Sequence, residues 1–206
     1  MSNNSDLVFT PAARRAQTER GSAKAYDDRV ENGFPDRITP DLAEFIGRLD
    51  TAFLATVSEA GAPYIQHRGG PRGFIKIIDD KTLGFADYRG NRQYITISNI
   101  ETNDRAFLFL LDAATRSRIK IWGRLRAVEG DAALTEKLFD EGYRAKPERV
   151  LLFTVDAWDM NCVQHITERF TKEEIQSAVE VTQQRLVALE AENTQLRAAL
   201  AAKATP

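Results

Sequence analysis

Twelve lysines and arginines lie between His67 and Arg126, against six aspartates and glutamates. The chain as a whole carries a formal charge of −2, so this local excess of cations stands out. Clustered cations repel one another, and a bound phosphate or similar small anion relieves that repulsion; a solvated basic face without a ligand gives the same count. Within the stretch, Gly69-Gly70-Pro71-Arg72-Gly73 is either a loop whose backbone approaches a planar ligand closely or a wide turn. Nucleophilic chemistry has little to work with. Ser58, Ser98 and Ser117 lack elbow contexts, and Cys162 has only His165 nearby. That pair reads as a thiol with a base on one helical face, or as a buried structural cysteine. Neither GxxxxGK[ST] nor GxGxxG occurs, which disfavours a P-loop and a dinucleotide fold.

One cysteine and two histidines leave no internal disulfide, no Cys-rich zinc site and no histidine-rich metal centre, so no metal is expected. A pI near 5.8 argues against a general nucleic-acid binder. No run approaches the roughly 18 apolar residues of a membrane span, and no leader-like stretch follows the start. The expectation is a soluble cytoplasmic protein without a membrane partner. At 206 residues and 43% apolar, the chain suits one domain with its own core plus an appendage.

The elements that must position these residues follow from patterning. Residues 1–38 are polar and mixed in sign, an N-terminal arm with a short helix over Ala12–Arg20 started by Thr10-Pro11. Thr39-Pro40 starts a helix whose Leu42, Phe45, Ile46 and Leu49 share a face. Strands follow at Ala52–Val57, Tyr64–Gln66, Phe74–Ile78, Thr82–Phe85, Ala106–Leu111, Ile119–Val128 and Val150–Val155, with a short helix around Leu134–Leu138. The stretch from Asn91 to Ile100 is ambiguous, strand by its β-branched residues and helix by the spacing of Tyr94, Ile97 and Ile100. Many short strands with few helices fit a mainly β fold, an antiparallel barrel over residues 39–168.

Residues 171–201 differ in kind. Ile175, Thr182, Leu189 and Leu196 recur every seven residues, interleaved with Val179, Leu186, Asn193 and Leu200. This seam predicts a C-terminal helix that pairs as a parallel dimeric coiled coil. A lone Asn193 at an a position and crossed Arg185–Glu190 and Glu192–Arg197 pairs favour two strands. An amphipathic helix folded back on its own barrel is the alternative. Thr171 and Glu174 form a capping box at its start.

Order then adds to pattern. Phe53-Leu54-Ala55-Thr56-Val57-Ser58-Glu59-Ala60-Gly61-Ala62-Pro63-Tyr64 precedes Arg68-Gly69-Gly70-Pro71. Thr82-Leu83-Gly84-Phe85-Ala86-Asp87-Tyr88-Arg89-Gly90-Asn91-Arg92 and Arg118-Ile119-Lys120-Ile121-Trp122-Gly123-Arg124 come next. Over roughly residues 40–165 this ordered set resembles the flavin-nucleotide-binding relatives of pyridoxamine 5′-phosphate oxidase. The resemblance implies a split antiparallel β-barrel, a homodimer, and FMN bound between the subunits. It makes Arg92 a phosphate ligand, with Asn91 as a further donor and Tyr88 at the turn into a helix. It sets Arg68 or Arg72 against phosphate or the ribityl chain, and Ile75 and Lys76 on a strand along the isoalloxazine. From the partner subunit it brings Arg118 or Lys120 to the flavin edge, with Trp122 and Trp158 as pocket walls.

Two departures bear on activity. The family's basic run after its central strand is rewritten as Arg68–Lys76, and its C-terminal arginine–histidine pair has only His165 and Arg169, differently spaced. Efficient oxidation of pyridoxamine 5′-phosphate is therefore not expected. No catalytic residue is identified. With no acid–base pair in view, the expected function is an FMN-dependent oxidase or reductase whose flavin exchanges two electrons with an unidentified small molecule. The alternative is a non-catalytic flavin carrier or redox sensor signalling through its coiled coil.

Overall fold

In the computed structural model, residues 3–161 and 164–203 are described; Cys162, and with it the thiol reading, lies outside them. The sheet that carries the cleft is built on helix α3 (Pro40–Gly47), which starts where its chemistry requires. Thr39 Oγ1 accepts the Leu42 amide at 3.3 Å, and Pro40 occupies the first turn. The helix buries Leu42, Phe45 and Ile46. Thr39→Ala should cost about 1 kcal/mol and lower Tm by roughly 2–4 °C, measurable by calorimetry, with the fold retained.

The strands are β1 (Thr51–Val57), β2 (Pro63–Gly69), β3 (Lys76–Ile77), β4 (Thr82–Tyr88), β5 (Arg105–Asp112), β6 (Ser117–Val128) and β7 (Pro147–Asn161). They form one antiparallel sheet in the order β2-β1-β5-β6-β7-β4-β3. Period-two alternation turns Ala52, Leu54 and Thr56 of β1, Leu108 and Leu110 of β5, and Ile119 and Ile121 of β6 inward. Phe85 and Phe153, fully buried, complete the core with α3. Helix α4 (Ile95–Thr102) is fixed to this core by Asn99, whose buried side-chain amide donates to Thr56 Oγ1 at 2.9 Å. The ambiguous stretch is thus helical from Ile95 on, because its buried Thr96 and Asn99 face the sheet, while Asn91 to Tyr94 stay a loop. A short helix α5 (Ala132–Leu138) is capped by Asp131 and buries Leu138.

The expectation of a mainly β fold with a split antiparallel barrel is overturned. β2 and β3 are the two edges of an open sheet and do not pair with each other. The reason lies in residues 70–75. The Gly70 and Gly73 amides donate to Asp50 O and Leu49 O at 3.1 and 2.7 Å, which bends the chain away from a ladder. Phe74 and Ile75 then bury in the core, 2% and 3% exposed, so the expected Phe74–Ile78 strand shrinks to two residues. Helices α1 (Pro11–Glu19) and α2 (Asp27–Asn32) belong to the arm, and six α-helices with seven strands among the described residues make the class mixed α/β.

The chain divides into two compact units, Met1–Asp112 with Arg116–Ile166, and Ala113–Thr115 with Thr167–Pro206. The second holds α6 (Lys172–Lys203), a single helix begun by the reciprocal Thr171–Glu174 capping box at 2.8 and 3.2 Å. The coiled coil expected here is also overturned: α6 is the only helix of this unit among the described residues, with no second helix in it to pair with. The seam residues Ile175, Val179, Leu186, Leu189, Leu196 and Leu200 are all exposed. A heptad stripe dictates an amphipathic helix, and one helix alone cannot bury it. Among the described residues no helix is long and apolar enough to cross a membrane.

Candidate functional site

A cleft of about 270 Å³ opens beside β2 and β4 and the segment that leads into α4. Its floor is sheet: Gln66, His67 and Arg68 from β2, and Phe85 to Tyr88 from β4. Its rim is the loop Gly90–Tyr94 and the first turn of α4, Ile95 to Ile97. Two non-glycine residues of that loop, Arg92 and Tyr94, have left-handed φ of 59° and 55°. Such backbone is strained and persists only where the surroundings hold it. Asn91 Oδ1 accepts the Gln93 amide at 3.1 Å between them.

The cleft's electrostatics suit an anion at the rim. Tyr94 is the N-cap of α4 and supplies no side-chain acceptor, so the amides of the first turn keep free N–H groups directed out of the helix end. Arg92 is exposed and has no carboxylate partner among the described residues. Deeper, Arg68 donates to Asp87 Oδ1 and to Thr96 Oγ1, the latter at 3.0 Å. Its Nε is buried and without a hydrogen-bond partner. Tyr88 packs edge-on against Phe139 and lies 5.1 Å from the Tyr143 ring. Burial pushes the Tyr88 phenol above its ordinary pKa, and Asp140 and Tyr143 add to the rise.

Of the residues that the sequence suggested, Arg68, Tyr88, Asn91 and Arg92 meet in this cleft. The others do not line it. Arg72 is exposed on the 70–75 loop. Ile75 is in the core, and Lys76 pairs with Asp140 at 2.5 Å. Arg118 and Lys120 lie on β6, where Lys120 pairs with Asp159 at 3.3 Å and sits over the Trp122 ring. Trp122 packs against Phe107 and Phe34, and Trp158 Nε1 donates to Arg37 O at 2.8 Å. Both tryptophans are thus in contact with the arm. Sequence reading missed Asp87, Tyr94, Thr96 and Arg149. A charge inside the apolar run Leu83–Tyr88, and another directly before Val150–Phe153, were signals of buried ion pairing.

Open sheets leave an outer face. Cross-strand register lines up Ile65, Ala55, Phe107 and Trp122 in one row, and His67, Phe53, Phe109 and Lys120 in the next. Phe53 contacts both His67 and Phe109, with ring centroids 5.9 and 6.4 Å apart.

The family model described as pyridoxamine 5′-phosphate oxidase matches residues 38–162. No curated protein matches the chain. Among solved structures, HupZ of Group A Streptococcus is similar at 22% identity and TM-score 0.50, covering 65% of this chain and 99% of its own. An FMN-binding protein from Syntrophomonas wolfei is 14% identical at TM-score 0.47, covering 72% and 97%. A Clostridium acetobutylicum protein related to general stress protein 26 is 17% identical at TM-score 0.47, covering 66% and 94%.

Proposed function

The chain belongs to the pyridoxamine 5′-phosphate oxidase family, a flavin-nucleotide-binding family, and on that premise we propose that the cleft at α4 binds FMN. The observation that carries this reading is the convergence, at one cleft rim, of an uncapped helix N-terminus with an unpaired arginine, Arg92. Phosphate suits both groups. Arg68, at the cleft floor, offers a second cation to the ribityl chain or the ring edge. Tyr88 and Tyr94 offer aromatic surface to a planar group. When bound, FMN supplies two-electron redox chemistry, and the reading is an oxidoreductase acting on a small molecule. The chain's own part is to grip the phosphate, hold Arg68 at the cleft floor and shield the ring.

A homodimer is part of the proposal. The outer face of β2, β1 and β5, with Ile65 exposed and Phe53 and Phe109 half-buried, is apolar surface of the kind that association covers, and flavin sites between subunits would bring Lys120 and Arg118 from one copy towards the cleft of the other. Pyridoxamine 5′-phosphate is not the substrate we favour: His165, the nearest match to the family's C-terminal histidine, is exposed with φ 62° and does not line the cleft.

Titration of the purified chain with FMN and FAD, at physiological salt and with sedimentation in parallel, tests the reading. FMN should bind at one per chain and more tightly than FAD, because the positive groups gather at one end and suit a terminal monophosphate. Equal or tighter FAD binding defeats the preference. Binding of neither defeats the function.

A further inference from the structure

Arg149 is a buried cation that the cleft does not expose. It opens the core segment of β7, is 9% exposed, and is absent from the cleft lining. Four groups surround it. Its Nε lies 3.6 Å from Asp87 Oδ2, while its terminal nitrogens reach Glu129 at 3.1 Å and Glu148 at 3.4 Å. Its guanidinium also sits over the Tyr94 ring, 5.2 Å from the centroid. Asp87 is the carboxylate whose other oxygen holds Arg68, and Glu148 lies 3.8 Å from Arg89. Arg149 therefore touches both walls of the cleft from behind: the floor through Asp87, and the rim through Tyr94.

We propose that Arg149 is the positioning residue of this cleft, fixing Arg68 through Asp87 and holding Tyr94 in its left-handed conformation at the start of α4. The identity of the ligand rests on the flavin reading; the positioning does not. Three features require arginine here. Asp87 lies between two guanidinium groups, hydrogen-bonded to Arg68 and in ion-pair range of Arg149, whose Nε has no hydrogen-bond partner, so its charge is shared by both and Arg68 would lose its anchor if Asp87 turned. Tyr94 has left-handed φ without being glycine; it is 45% exposed, and the Arg149 guanidinium packs on its ring 5.2 Å from the centroid. A planar fork can meet three carboxylates and an aromatic face together, whereas a lysine ammonium on its single flexible stem cannot. Release of Tyr94 would also disturb Arg92, two residues earlier and likewise left-handed. A residue without ligand contact thus controls both cationic ligands of the cleft.

The test uses the full chain with Arg149→Met and Arg149→Lys, and reads two independent quantities. In ligand-free protein, exchange of the hydrogen-bonded amides of this segment, Gln93 and Ser98, the latter donating to Tyr94 O at 2.9 Å, should quicken at least about tenfold in either variant. The β5–β6 amides should stay as protected as in the unaltered chain, which shows the variants folded. In FMN titrations, Arg149→Met should weaken binding about tenfold or more, with Arg149→Lys restoring part of the affinity by keeping the charge beside Asp87. In a background already carrying Arg68→Met and Tyr94→Leu, Arg149→Met should have almost no further effect. Full additivity there would mean that Arg149 acts elsewhere, and unchanged exchange at Gln93 and Ser98 would overturn the hold on Tyr94. If Arg149→Met does not fold, Arg149→Lys carries both readings. If the unaltered chain binds no FMN, the flavin reading fails and hydrogen exchange alone decides the positioning.

Discussion

Gly123→Ala should lower Tm by about 10 °C, the largest stability effect expected from any single methyl group in this chain. Gly123 lies in the middle of β6, where a glycine costs strand stability unless something must approach closely. Here something does. A Cβ at this position would stand 2.0 Å from Thr154 O and 2.5 Å from the Phe153 ring. Neither neighbour can give way. Thr154 O is backbone of β7, and Phe153 is fully buried in the core. The ladder between β6 and β7 shifts register between Trp122 and Gly123, and this irregularity brings the two strands together. Overpacking a core costs roughly 1–3 kcal/mol, and more where backbone must move. At about 3 kcal/mol a domain of this size loses on the order of 10 °C. Gly130→Ala is the control for glycine loss as such. Gly130 has open space around it but a φ of +75°, so its cost should be a strained turn of about 1 kcal/mol. Thermal unfolding of the two variants separates them, and equal losses would mean that the β6–β7 approach is not what fixes Gly123.

That glycine also marks where sequence stops being informative. Alternation located the strands because burial on one face writes itself into period two: Leu54, Leu108, Ile119 and Phe153 were all legible as core. The caps at Thr39 and Thr171 were legible because they are local chemistry, complete within four residues. Closure was not. Whether seven strands join into a barrel depends on β2 meeting β3, and the residues that prevent it, Gly70 to Ile75, bend through hydrogen bonds to Leu49 and Asp50 some twenty residues earlier. No periodicity records a bond across that distance. The heptads after Thr171 failed for a related reason, since they specify the stripe on a helix and leave open what covers it. The site was legible only in part. Arg68, Tyr88, Asn91 and Arg92 could be carried over because they sit in two pieces of one ordered set, Arg68–Pro71 and Thr82–Arg92. Asp87, Thr96 and Arg149 act through partners from other strands and helices, so only the fold brings Asp87 and Thr96 to the cleft and Arg149 behind it.

Arg92→Asn should weaken FMN about tenfold or more while leaving riboflavin within about twofold. Arg92 is the one cation of the cleft rim with no carboxylate to neutralise it among the described residues, next to a helix end with no side-chain cap. A charge-assisted hydrogen bond to phosphate contributes on the order of 1.5–3 kcal/mol, and riboflavin has no phosphate to lose it. Asparagine is the informative replacement because φ at this position is 59°. Asparagine tolerates that conformation better than alanine does, so the charge is removed while the loop is kept. Arg92→Ala should show the same selectivity with an added loss on both ligands, from the strained backbone. Salt gives an independent reading: FMN affinity of the unaltered chain should fall with ionic strength, and the fall should be shallower in Arg92→Asn because one exposed charge no longer takes part. Should FMN and riboflavin weaken alike in Arg92→Asn, the arginine is holding the loop or the ring. The phosphate would then be left to the first-turn amides of α4 and to Arg68, whose contribution the corresponding Arg68→Met titration measures.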